Sequence, residues 1–168
     1  MASSLNNLAA LHRARGEYAA AEPLYRRCVD ILLNRLGEGH PAVALALNNL
    51  AELHGAQGRY AEAERLHLRS LAILESAFGP VHPELDASLN YLADLYGARG
   101  EYASAERYYR RSLELRETHL GRDHRTVASS LDSLAKLYRL MGRVDEAGQL
   151  SDRAAAIRLK KSAKKTSK

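Results

Sequence analysis

LNNLAELHGAQGRYAEAERL, residues 47–66, is the stretch that decides the fold, because the chain contains a close copy of it on either side. The upstream copy is LNNLAALHRARGEYAAAEPL (residues 5–24), and the downstream copy is LNYLADLYGARGEYASAERY (residues 89–108). The spacing is 42 residues in both directions, and the same phase aligns Leu131, Gly142 and Ala147 with residues of the earlier copies. A fixed period of this length is the signature of a repeat array. The chain therefore divides into blocks 2–43, 44–85, 86–127 and 128–159, followed by residues 160–168.

Each block predicts two antiparallel helices joined by a tight turn. Leu47, Leu50 and Leu53 recur at the spacing of one helical face, and Gly58 can take the left-handed conformation that ends a helix. The next helix begins near Tyr60, and Tyr60 and its counterparts Tyr18 and Tyr102 are expected to wedge between paired helices. Pro41 and Pro83 are expected at the starts of first helices, where proline needs no amide donor. The predicted fold class is all-α.

Small residues at two positions of every block predict where the paired helices come closest, because alanine lets helix axes approach without voids. These residues are Ala9, Ala51, Ala93 and Ala135 on the first helices, and Ala21, Ala63, Ala105 and Ala147 on the second helices.

Charge and composition exclude several classes of protein. The net charge of +5 is accounted for by five lysines in residues 160–168, so the repeats themselves are neutral. We expect residues 160–168 to form a basic disordered tail. No run of about 18 apolar residues exists, which excludes a membrane span, and the first residues lack the features of a secretion signal. The single cysteine, Cys28, is expected to be a buried thiol, and a cytoplasmic location is expected.

The pattern L-x-x-L-A-x-L-x-x-x-x-G-x-Y-x-x-A-E resembles that of the tetratricopeptide repeat (TPR) family. The period of 42 residues, the LNNLA opening and the LG-x-x-H-P joint are similar to the variant found in kinesin light chains. The resemblance implies a right-handed solenoid of four helix-turn-helix repeats, the fourth acting as a C-terminal cap. It also implies a protein–protein interaction scaffold that binds peptide segments in a concave groove lined by the first helix of each repeat.

The groove positions of that family fall on polar residues of all four blocks. They are Asn6, Asn7 and Arg13, then Asn48, Asn49 and Glu52, then Asn90, Tyr91 and Asp94, and finally Ser133, Lys136 and Arg139. Asparagine amides both donate and accept, so they suit a ligand's main chain, and Asn7 and Asn49 match the family positions that hold it. An alternative for Asn6, Asn48 and Asn90 is that they bridge adjacent helices.

The family's clamp for a terminal carboxylate is not expected here, because its lysine positions carry no basic residue. These positions are occupied by Ser3, Leu45, Ala87 and Ser129. Without charge-assisted donors a lone carboxylate has no partner there.

Catalysis, a metal and a cofactor are not expected. The recurring histidines His40, His82 and His124 lie one repeat apart and form no cluster of ligands. The recurring carboxylates Glu22, Glu64 and Glu106 are interpreted as helix-surface or inter-repeat partners rather than as an acid/base pair. No glycine-rich phosphate loop is present.

The sequence leaves two alternatives to peptide binding open. Block 2–43 starts directly at a helix with Leu5 and Leu8 near an open end, which suggests either a fragment of a longer array or self-association through an uncapped N-terminal repeat. The second alternative is contact of the lysine tail with nucleic acid or an acidic surface, although the neutral repeats argue against more than salt-sensitive binding.

Overall fold

The computed structural model describes the backbone of residues 1–166 and the side chains of residues 1–160, and its regular structure there is entirely α-helical. The helices are α1 (Ala2–Ala14), α2 (Tyr18–Leu36), α3 (Pro41–Ala56), α4 (Tyr60–Phe78), α5 (Leu85–Ala98), α6 (Tyr102–Leu120), α7 (Arg125–Leu140) and α8 (Val144–Thr166). The predicted all-α class, with two helices for every block of sequence, is confirmed.

The chain forms two compact units, Met1–Leu95 and a second that begins at Tyr96. In the first unit α1 packs on α2, α2 on α3 and α3 on α4, and α1 also touches α3. In the second unit α7 packs against both α6 and α8. Within each unit a helix therefore contacts the next helix along the chain, the arrangement of a helical repeat.

The alanine positions are the closest-packed points of these helices. All eight side chains are fully buried, at 0% exposure, as the repeat pattern predicts: Ala9, Ala21, Ala51, Ala63, Ala93, Ala105, Ala135 and Ala147. Alanine at these positions lets the paired helices of one unit approach closely, and a larger side chain there is expected to push them apart.

The turn inside the second repeat depends on a glycine with positive φ. Gly58 has φ 75°, and around it the Arg59 amide donates to the His54 carbonyl (2.9 Å) while the Gly58 amide donates to the Gly55 carbonyl (3.0 Å). These bonds satisfy carbonyls that the end of α3 leaves without intrahelical partners. The predicted left-handed turn is confirmed.

The recurring histidines act as helix caps. His40 precedes Pro41, the first residue of α3, and its Nδ1 accepts a hydrogen bond from the Ala42 amide (3.1 Å). His124 does the same for α7, accepting from the Thr126 amide (3.3 Å). The capping role explains why a histidine recurs at this joint, and the repeat pattern alone does not reveal it.

Three expectations about element boundaries and packing need correction. Helix α5 begins at Leu85 rather than at Pro83. At its start, the amides of Leu85 and Asp86 donate turn-type hydrogen bonds to the carbonyls of His82 and Pro83 (both 3.0 Å). Tyr60 does not wedge between helices; it is exposed at the first position of α4.

The expected break after residue 159 is not seen, because α8 continues to Thr166. Lys160, the first residue of the predicted tail, pairs with Asp123 (3.0 Å). The rest of the disordered-tail prediction concerns side chains 161–168 and residues 167–168, which lie outside the described residues.

Replacing Gly58 with valine is expected to lower the free energy of unfolding by about 1–3 kcal/mol, because a β-branched residue is strained at positive φ. Urea denaturation followed by circular dichroism measures the change. Gly55→Ala is the matched control: Gly55 lies within α3 without positive φ, and a Cβ there meets no atom within 4 Å. That variant is expected to be as stable as the parent or more stable. Equal unfolding curves for Gly58→Val and the parent would show that the turn tolerates a side chain.

Candidate functional site

The first helices α1 and α3 lie side by side in the unit Met1–Leu95 and are tied by two polar contacts. The Asn49 side chain donates from Nδ2 to Oδ1 of Asn6 (2.7 Å). Further along the same pair of helices, Arg13 forms an ion pair with Glu52. Four of the twelve predicted groove residues are therefore brought together as bridging pairs on one face of this unit.

A pocket of about 200 Å³ opens between these two helices, with part of its wall contributed by α2. Asn6, Asn7 and Asn49 line it, so the two asparagines predicted to hold a peptide main chain lie at one site. Cys28 and Leu32 of α2 also line it. The repeat pattern does not point to these two residues, because the family assigns the groove to first helices alone.

The asparagines at the pocket keep hydrogen-bonding capacity. Asn7 is exposed and makes no hydrogen bond to the described residues. Asn49 uses only Nδ2 and Asn6 uses only Oδ1 in their mutual bond, so Oδ1 of Asn49 and Nδ2 of Asn6 have no partner among the described residues. Donors and acceptors are thus both available at one rim of the pocket.

The pocket walls are uncharged. Ser3 and Leu45, two of the positions at which a carboxylate clamp needs lysine, both line it. Burial raises the pKa of the Cys28 thiol, which keeps that group neutral. A terminal carboxylate would meet no lysine or arginine among the described residues that line the pocket.

Asn48 does not belong to the site. It is 3% exposed, its Nδ2 donates to Ser88 Oγ (2.8 Å), and its Oδ1 accepts from Nδ1 of His67 (3.1 Å). The prediction that Asn48 contacts a groove ligand is wrong, because both ends of its amide are engaged in a buried network that joins α3, α4 and α5. The bridging alternative is the right one for this residue.

The predicted residues of α5 have mixed surroundings. Asn90 donates to the Asp86 carbonyl (2.7 Å) and to its carboxylate (3.1 Å) within the same helix. Tyr91 is half-buried and stacks on the His67 ring with centroids 5.2 Å apart. Asp94 is exposed.

The predicted residues of the fourth repeat lie on α7, in the second unit. Lys136 and Arg139 are exposed, and Arg139 donates to Ser151 Oγ of α8 (2.7 Å). Ser133 is half-buried. Lys136 and Arg139 form a basic patch on α7, in the second unit.

Two of the three recurring glutamates pair with an arginine of the next repeat. Glu22 of α2 pairs with Arg59 at the start of the next second helix (3.1 Å), and hydrogen bonds, first from Arg26 and then from Arg59, lower the pKa of its carboxyl. Glu106 pairs in the same way with Arg143 (2.8 Å). These pairs agree with the structural interpretation of these carboxylates.

His67 is a titratable group in the core. It occupies the position of Tyr25 in the first repeat, and both side chains are buried. Burial lowers the pKa of His67 to about 4, so the ring is neutral at physiological pH. His54, also buried and with Nδ1 unpartnered, has its pKa lowered by burial as well.

Metal-binding clusters and membrane-spanning helices are both missing from the described residues. No group of three or more histidine, cysteine, aspartate or glutamate side chains in this part of the chain could hold a metal ion. No helix between residues 1 and 166 is long and apolar enough to cross a membrane.

Comparison with known proteins gives a family and several structural neighbours. A family profile described as tetratricopeptide repeat matches residues 1–76, 43–118 and 87–160, nearly the whole chain. No protein of curated function matches it in sequence.

Three similar solved structures show how far the likeness extends. BtubC (BKLC) from P. vanneervenii superposes with a TM-score of 0.87 at 23% identity, covering 96% of this chain. The chain spans 64% of the length of that protein. A Podosopora anserina protein described as a putative kinesin light chain with nearly identical TPR-like repeats gives a TM-score of 0.84 at 28% identity, covering 94% of this chain and 75% of that one. A variant of it gives 0.83 at 28%, covering 94% and 74%.

The stability of the protein is expected to fall as the pH decreases from 6.5 towards 4, because of His67. Burial lowers its pKa from the ordinary 6.5 to about 4 in the folded state, so between these values the unfolded chain binds a proton that the folded chain does not. The loss reaches about 3 kcal/mol, at about 1.36 kcal/mol per pKa unit. Urea denaturation at several pH values measures it.

His67→Tyr, which copies the first repeat, is the matched variant for this test. It removes the titrating ring, so its stability is expected to depend less on pH in the same range, with His54 supplying the remainder. An identical pH dependence in the variant and the parent would show that His67 is not the group responsible.

Proposed function

Because the chain belongs to the tetratricopeptide repeat family, we propose that it is a protein-interaction scaffold that binds peptide segments of partner proteins on its first helices. In the unit Met1–Leu95 the proposed binding surface is the face of α1 and α3 that carries the asparagine pocket. On this proposal the protein is not an enzyme and acts in the cytoplasm.

The observation that carries the proposal is the convergence of Asn6, Asn7 and Asn49 on one pocket with amide groups to spare. An extended peptide presents one N–H and one C=O at each residue, and each needs a partner when the peptide leaves water. Asparagine side chains supply both kinds of partner at fixed positions. Because Asn6 and Asn49 are already held by each other, part of the ordering cost is met before a ligand arrives.

Other residues of the first helices that are exposed or half-buried extend the proposed surface in each unit. These residues are Tyr91 and Asp94 on α5, and Lys136 and Arg139 on α7. Asp94 is acidic, whereas Lys136 and Arg139 are basic, so the first helices of the two units offer ligands surface charges of opposite sign. Asn48 is left out of the surface.

A second candidate role is self-association, and it is favoured by one comparison between repeats. Leu8 and Leu11 on α1 are 45% and 48% exposed, whereas their counterparts Leu50 and Leu53 on α3 are 4% and 0% exposed. The latter pair is covered by α2, through a cluster that includes Tyr25. The face of α1 that carries Leu8 and Leu11 therefore suits contact with another helix, as α2 contacts Leu50 and Leu53. We propose that this helix belongs to a second copy of the chain.

Replacing both Asn7 and Asn49 with alanine is expected to weaken the binding of a display-selected peptide about tenfold or more, because each lost hydrogen bond contributes on the order of 1 kcal/mol. Fluorescence anisotropy measures affinity, and circular dichroism checks the fold. Asn34→Ala is the control, since Asn34 is an exposed asparagine on a second helix. Unchanged affinity in the double variant would remove the α1–α3 face from the proposal.

If self-association occurs through α1, the pair of substitutions Leu8→Ser and Leu11→Ser is expected to shift the chain towards monomer at a concentration where the parent is dimeric. Burial of two leucines contributes about 3–6 kcal/mol to such an interface. Sedimentation velocity over a range of concentrations measures the shift. Leu68→Ser, at an exposed leucine of α4, is the control. A parent that stays monomeric at all concentrations would eliminate this role.

A further inference from the structure

We infer that the pocket between α1 and α3 binds an uncharged aliphatic side chain of the peptide, while the asparagines at its rim hold the peptide main chain. This inference rests on the proposed function and specifies the class of ligand. It depends on four observations: the chemistry of the walls, the charges nearby, the size of the pocket and the unused amide atoms.

The walls are apolar apart from the rim. The α2 contribution, Cys28 and Leu32, and the α3 contribution, Leu45 and Ala46, present carbon and one neutral thiol to the pocket. Apolar area removed from water on both partners favours an aliphatic side chain in this place.

A charged side chain is disfavoured by the absence of a counter-ion. The cation nearest in sequence on α1 is Arg13, and its guanidinium is already paired with Glu52. The described residues that line the pocket include no lysine, arginine, aspartate or glutamate. An acidic or basic side chain entering the pocket therefore loses hydration and gains no partner of opposite charge.

The size fits a single branched or linear side chain. A cavity of roughly 150 Å³ lined by aliphatic groups accepts a molecule as large as benzene. The pocket, at about 200 Å³, has room for leucine, isoleucine or methionine. A volume of this size matches one such side chain, which predicts one fixed apolar position in the recognised sequence.

The amide atoms explain how that side chain is positioned. The free Asn7 side chain, Oδ1 of Asn49 and Nδ2 of Asn6 lie at the pocket rim. In an extended peptide, alternate side chains point to opposite faces. One side chain can then enter the pocket while the main-chain groups beside it meet the asparagines, and its neighbours point away.

The experiment is a random-peptide display selection on the intact chain, run in parallel on Leu45→Lys and on Leu45→Met. Leu45 lines the pocket and is 47% exposed, so either substitution is expected to leave the packing of α3 intact. Leu45→Lys adds the cation that the pocket lacks, and Leu45→Met keeps it apolar. The parent and Leu45→Met are expected to enrich peptides with an aliphatic residue at one fixed position.

The selected peptide is then synthesised with that residue replaced by aspartate. For the parent, the replacement is expected to weaken binding by about tenfold or more, because a carboxylate in an uncharged pocket loses its hydration. For Leu45→Lys, the preference is expected to reverse, so that the aspartate peptide binds better than the aliphatic one.

The outcomes separate the inference from the proposed function. Enrichment of a charged residue at the fixed position, or a preference that Leu45→Lys leaves unchanged, overturns the inference while peptide binding stands. No enrichment by the folded parent overturns both. Enriched peptides whose affinity does not change in the Asn7→Ala and Asn49→Ala double variant overturn the inference and remove the α1–α3 face from the proposed function, because they bind elsewhere.

Discussion

Close approach of paired helices at alanine is the constraint on which the rest of this structure depends. All eight alanines that recur in the sequence are fully buried, and in the first, second and fourth repeats, whose two helices lie in one unit, these small side chains let the helices approach closely. Stacking of one repeat on the next then covers leucines such as Leu50 and Leu53, which a single pair of helices leaves exposed. This apolar packing sets the positions of the first helices and therefore of the polar side chains on their surface.

The polar contacts between repeats divide into two kinds with different consequences. Buried contacts, such as those of Asn48 with Ser88 and His67, fix one repeat against the next and are closed to ligands. Surface contacts, such as that of Asn6 with Asn49, orient side chains and still leave atoms unused. A repeat array can therefore use the same residue type for packing in one place and for recognition in another. The family membership supports the scaffold role, and this division indicates where on the scaffold a ligand has groups to bind.

The neutral pocket changes what kind of ligand the first unit suits. Charged residues of both signs lie on the first helices. In the first unit, however, Arg13 of α1 and Glu52 of α3 are paired with each other. Affinity at this face must then come from apolar burial and main-chain hydrogen bonds, which depend little on salt. The basic patch of α7, with Lys136 and Arg139 exposed, is one part of the described surface at which salt-sensitive contacts are available.

The sequence by itself determined the period, the two helices of each repeat, the buried alanines and the turn at Gly58, because these follow from local conformation and from residues that recur at one spacing. It could not decide which of two adjacent asparagines is open to the surface. Asn48 and Asn49 differ by about 100° around the helix, and only the packing of α4 and α5 over one side shows that Asn48 is enclosed. The walls that α2 contributes to the pocket and the low pKa of His67 were likewise decided by tertiary structure, since both arise from neighbours that are distant in sequence.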